Sequence, residues 1–139
     1  MAVLDIGGED LGARILSSMH TRFSSVSYRV FMVVNTLRPF TSDAPKIAQM
    51  ARELSLASIL PITGLVDNSN LLEETTPDEI LLSSSIVKEA SELLSVPISF
   101  ACGMHRNFPL SWNETTPSGL PFLRMRRTIQ YDYGDGEKE

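Results

Sequence analysis

Three scarcities frame this sequence. It has a single cysteine, Cys102, so no internal disulfide framework can form and the chain suits a reducing compartment. No apolar run approaches the roughly 20 residues needed to span a bilayer, and Met1 is not followed by a basic segment and an apolar core. A cytoplasmic location and no membrane partner are expected. Lysine is also rare: the three present precede Ile47, Glu89 and Glu139, so no Gly-Lys-Ser/Thr run exists to cradle a phosphate. Positive charge is in deficit overall, at a formal net charge of -5, which gives no general attraction for a polyphosphate backbone. Only Arg124-Met125-Arg126-Arg127 is locally basic. A solvated strand or tail accounts for it, and no nucleic-acid partner is expected.

What is present is an ordinary globular composition: 139 residues, 42% hydrophobic and 21% charged. That amount of apolar material supports one core, so a single domain is expected over residues 1–126, with a frayed tail over 127–139. Residues 2–6 read as a short apolar strand closed by Gly7-Gly8, and Leu11, Ile15, Leu16 and Met19 then fall at helical spacing. Residues 28–35 form a dense β-branched and aromatic run of the kind buried on both faces of a sheet.

A start signal at Thr41-Ser42-Asp43 with Pro45 precedes a stripe of Ile47, Met50, Ala51 and Leu54. Residues 59–66 read as a strand with Pro61 near its entry. Thr76, Pro77 and Glu79 spell a capping box that opens a helix from Pro77 to about Leu94, with Leu82, Ile86, Val87, Ala90 and Leu93 as its expected apolar face. Residues 98–102 make the next strand. Residues 103–121 show no period and read as a loop, after which Phe122-Leu123-Arg124-Met125 adds an edge strand. Alternating strands and helices predict an α/β fold with a mostly parallel sheet of four to five strands.

Three segments at predicted strand ends carry a resemblance. They are Asp5-Ile6-Gly7-Gly8-Glu9-Asp10, then Val33-Val34-Asn35-Thr36, then Ile62-Thr63-Gly64-Leu65-Val66-Asp67-Asn68 with Glu73-Glu74-Thr75-Thr76-Pro77. In this order they resemble the later part of the CobQ/CobB/MinD/ParA-type P-loop nucleotide-binding domain, in an uncharacterised bacterial branch, over about residues 2–105. The resemblance implies an incomplete P-loop NTPase-like, Rossmann-like three-layer domain, with ATP and Mg2+ as cofactors. It implies that Asp5 holds the metal, that Gly7 and Gly8 let the backbone approach the γ-phosphate, and that Asn68 contacts the adenine edge, with Asn35 as a second base or ribose contact. The phosphate loop itself has no counterpart, so no ATPase activity is expected of the chain alone.

That gap bears on folding. In such domains the phosphate-loop strand lies between the Asp5-type strand and the next, so its loss predicts either a rearranged sheet or association through unpaired edges. The partner is then a second copy or a polypeptide that supplies the loop.

Plainer readings stand beside each residue. Asp5 with Gly7-Gly8 also suits a turn, and Asn35 and Asn68 also suit turns or caps. Cys102 and His105 form a Cys-x-x-His pair, yet two ligands do not make a metal site, and a buried strand cysteine explains Cys102. Glu73-Glu74 and Asp78-Glu79 flank a helix N-terminus, where negative charge is favoured without any acid–base role. Three functions remain: the C-terminal part of an ATP-binding domain, a nucleotide-free interaction module, and an enzyme using Cys102 as nucleophile.

Overall fold

A computed structural model of the chain describes residues 1–7, 10–71, 74–126 and 128. The 127–139 tail expectation therefore falls almost wholly outside the described residues, as do Gly8 and Glu73. Within them the fold is α/β, an open four-stranded sheet in which every neighbouring pair is parallel. The strands are β1 (Phe31–Val34), β2 (Gly64–Asp67), β3 (Ile98–Met104) and β4 (Phe122–Met125), lying side by side in chain order. The helices are α1 (Asp10–Ser18), α2 (His20–Phe23), α3 (Ala44–Ser58) and α4 (Pro77–Leu94). This is consistent with a Rossmann-like plan.

The two long crossover helices start where the sequence says they should. Asp43 caps α3 by accepting the Lys46 amide at 3.0 Å, and its ion pair with Lys46 lowers its pKa, chiefly through the side-chain hydrogen bond. In α4 the Thr76 hydroxyl accepts from the Glu79 amide while Glu79 accepts from the Thr76 amide at 2.7 Å, a complete capping box. Both helices bury their stripes against the same side of the sheet. Ile47 and Ala51 of α3 and Val87 and Ala90 of α4 form one core with Met32, Val34 and Leu65. Helix α1 packs on α3.

The face of α4 is rotated from the expected one. Leu82 is 67% exposed and Leu93 is also exposed, while Ile80, Ser83, Ser84, Val87 and Ala90 are buried. The expected stripe favoured the most apolar side chains; two serines displaced them because a buried carboxylate on β2 needs donors.

Two further expectations are corrected. Residues 2–6 form no strand, and Val3 and Leu4 stand exposed, since no neighbour is in place to complete a ladder. Strand β1 is buried on one face only: Met32 and Val34 face the helices, while Phe31 and Val33 on the other face are 40% and 60% exposed. Among the described residues the sheet consequently has four strands and begins at β1.

Residues 103–121 hold two 3-10 turns, His105–Asn107 and Leu110–Trp112, rather than an unstructured loop. They deliver Phe108 and Trp112 to a second core with Ile80, Ala101 and Phe122, whose three aromatic rings lie 5.0–5.5 Å apart. Gly103 leaves the room that the Phe108 ring occupies, since a Cβ there would collide with it.

Candidate functional site at the carboxyl ends of the strands

In an open parallel sheet the carboxyl ends of the strands are where loops diverge and ligands bind. Here that end gathers Asn35 after β1, Asp67 and Asn68 at the end of β2, and Cys102 on β3. Asp67 is fully buried. One carboxylate oxygen accepts from the Ser83 hydroxyl at 2.7 Å and the Ser84 hydroxyl at 3.2 Å, and the other accepts the Ser69 amide at 3.1 Å. Three donors on one carboxylate supply the solvation that burial removes. Ser69, itself fully buried, accepts the Thr36 amide at 2.9 Å and lies 3.1 Å from the Thr36 hydroxyl, which ties the β1 turn to the β2 turn.

Asn35 and Asn68 are brought into one network through Asn70. The Asn35 amide donates to the Asn70 carbonyl at 3.1 Å, and its oxygen accepts the Leu37 amide at 3.0 Å, closing an Asx-type turn. Asn70 donates to the Asn68 backbone carbonyl at 2.9 Å and to its side-chain oxygen at 3.0 Å. Asn35 is thus spent on the turn. Asn68 differs: its side-chain oxygen is engaged by Asn70 and, at 3.2 Å, by the Cys102 thiol, but its Nδ2 meets no acceptor among the described residues.

Cys102 donates to Asn68 and, at 3.6 Å, to the Asp67 carbonyl. Burial, and secondly the negative charge of Asp67, push its thiol up to about 12. A thiol held so far above neutrality supplies almost no thiolate, and the nucleophile reading of Cys102 loses its basis. His105 faces elsewhere. Its carbonyl accepts from Arg124 at 2.9 Å, and the same guanidinium reaches the carbonyls of Phe108 and Pro109. Among the described residues no three His, Cys, Asp or Glu side chains cluster as metal ligands, and no helix is long and apolar enough to cross a membrane.

Asp5 and Gly7 lie on an exposed segment outside the sheet, and Asp5 makes no hydrogen bond or ion pair among the described residues. At the carboxyl end of the sheet the described residues leave one amide donor, Asn68 Nδ2, unengaged. An apolar groove of about 410 Å³, lined by residues such as Ala51, Leu56, Ile62 and Leu94, lies at the opposite, amino end of the sheet.

Asp67 is the residue that sequence reasoning passed over, as the mere end of a strand. Its signal was the pairing of an acid after an apolar strand with adjacent serines one helix later. The class defined by this architecture is an open parallel α/β domain. No family model, curated protein or solved structure matches the chain.

Proposed function

We propose that the chain is an incomplete nucleotide-binding-type α/β scaffold that works as a nucleotide-free interaction module, recruiting a partner polypeptide along β1. One observation carries this reading. Among the described residues β1 has no neighbour on its outer side, and it bears an uncovered apolar surface at Phe31 and Val33. The Val34 carbonyl accepts the Asn68 amide and the Val30 carbonyl accepts the Thr63 amide, so with the two-residue period of a strand the backbones of Val30, Met32 and Val34 face β2. Those of Phe31 and Val33 face outward, unpaired among the described residues, and a strand edge of this kind is a template for another strand.

The lack of a Gly-Lys-Ser/Thr run supports a reading without phosphate chemistry. A second reading, purine recognition without hydrolysis, is supported by the unpartnered Nδ2 of Asn68. Calorimetric titration of Mg-ATP and Mg-ADP separates the two. The module reading expects no heat of binding. Micromolar binding that Asn68→Ala abolishes overturns it in favour of purine recognition. Amide hydrogen exchange supplies the positive arm: Phe31 and Val33 exchange fast in dilute monomer and slowly in the complex recovered from native cells.

A further inference from the structure

We propose that the strand which pairs with β1 is the β1 of a second copy, antiparallel about a twofold axis through Met32, joining the two sheets into one. This inference rests on the reading of β1 as an association edge. An antiparallel hydrogen-bonded pair forms between residues that both point their N–H and C=O at each other, and such pairs alternate with non-bonded ones. Phe31 and Val33 have that orientation and Met32 lies between them. Phe31 therefore pairs with Val33 of the other copy, and Val33 with its Phe31, which engages every outward amide and carbonyl of the strand. The interface is isologous and closed.

The same register is favourable for the side chains. Paired residues share a face, so each Phe31 lies beside the other copy's Val33 on the side away from α3 and α4, an aromatic and β-branched combination that stabilises cross-strand pairs. Phe31 is already held for this contact: its ring packs edge-on against Phe100 at 6.4 Å, over Gly64, where a Cβ would lie only 3.1 Å from the ring. Charge does not oppose the approach. Phe31-Met32-Val33-Val34 is uncharged, and the first charged neighbour, Arg29, falls opposite Asn35 rather than opposite its own copy.

The far side of the sheet disfavours the main alternative. Head-to-tail growth requires β1 of one copy to add to the outer edge of β4 in the next. That edge is occupied at its entry, where the outward amide of Phe122 donates to the Glu114 carbonyl at 2.7 Å and Thr115 bridges Pro121. Among the described residues the β1 edge is the one open along its whole length, which predicts a dimer and not a filament.

Sedimentation equilibrium of the full chain over a range of concentrations tests this, read against the monomer mass of 15.4 kDa. The expected species is a dimer. Val33→Pro deletes an outward N–H that the β1–β2 ladder does not use, and raises the dimer dissociation constant by roughly tenfold or more with unchanged circular dichroism. Val33→Lys serves as the second variant should the proline one misfold, and it too yields monomer. Dimer of undiminished affinity in a folded variant overturns the pairing. A wild-type chain that stays monomeric throughout also overturns it. Slow exchange at Phe31 and Val33 in the native-cell complex then preserves the interaction-module reading, and fast exchange there removes both.

Discussion

The two edges of the sheet are finished differently. At β4 the outward amide of Phe122 is bonded to Glu114, Pro121 stands at the entry, and the Arg124 guanidinium gathers the carbonyls of His105, Phe108 and Pro109. At β1 no charge, proline or bulge interrupts Phe31–Val34, and its outer side is uncovered among the described residues. Edges that stay solvated are ordinarily blunted by such devices. Under the proposed reading, the difference assigns association to β1 and folding stability to β4.

The same truncation made at both edges gives the largest contrast. Phe122 is buried among Phe108, Trp112, Ala101 and Ile80, so Phe122→Ala is expected to cost about 3–5 kcal/mol. Phe31, two-fifths exposed, should cost about 1 kcal/mol when replaced by Ala in the monomer. Urea unfolding of both variants checks this, and equal losses break the comparison. Next in size is Arg124→Ala, which frees several loop carbonyls from a charged donor. A loss of about 1.5–3 kcal/mol is expected, together with faster proteolysis within residues 105–121.

Much of the fold was legible because helix starts and parallel strands have local causes. The capping box at Thr76 and Glu79, the stripe at Ile47 and Ala51 and the β4 edge strand depend on neighbours in sequence, and each is where it was expected. Failures arose where tertiary partners decide. Residues 2–6 have strand composition, but a strand exists only by pairing. The face of α4 was misjudged because Asp67 drew Ser83 and Ser84 inward. Phe108 and Trp112 looked like loop residues because 3-10 turns leave no period to read. Of the candidate site, Asn35 and Asn68 were placed at strand ends correctly, while Asp67, which organises that end, shows its importance only through contacts made 16 and 17 residues away.

Between the two edges, Cys102 offers a smaller and pH-dependent effect. Its folded pKa of about 12 lies above that of the unfolded thiol. The proton is therefore held more tightly in the native state, and the sign follows. Stability is unaffected below the unfolded pKa, and it falls as pH rises through the window between the two values, because the unfolded chain ionises first. Urea midpoints measured at neutral pH and above pH 9 should diverge in the wild type, and less so in Cys102→Ala. The thiol should also resist alkylation near pH 8 until urea unfolds the chain. Rapid labelling of native protein would show the β3 face to be more open than its contacts with Asn68 imply.

The smallest effect is the sharpest test of the comparison. Val33 is 60% exposed, contributes no side chain to the helix-facing core, and has an outward amide with no partner among the described residues. In dilute monomer, Val33→Lys should therefore change unfolding free energy by no more than about 0.5 kcal/mol, as for other surface positions. The same replacement at concentrations where the wild type pairs should abolish the added stability that association confers by mass action. A strand serving only the fold loses stability equally in both regimes. A strand serving association loses it only in the second, so urea midpoints of wild type and variant, measured against protein concentration, decide which purpose β1 has.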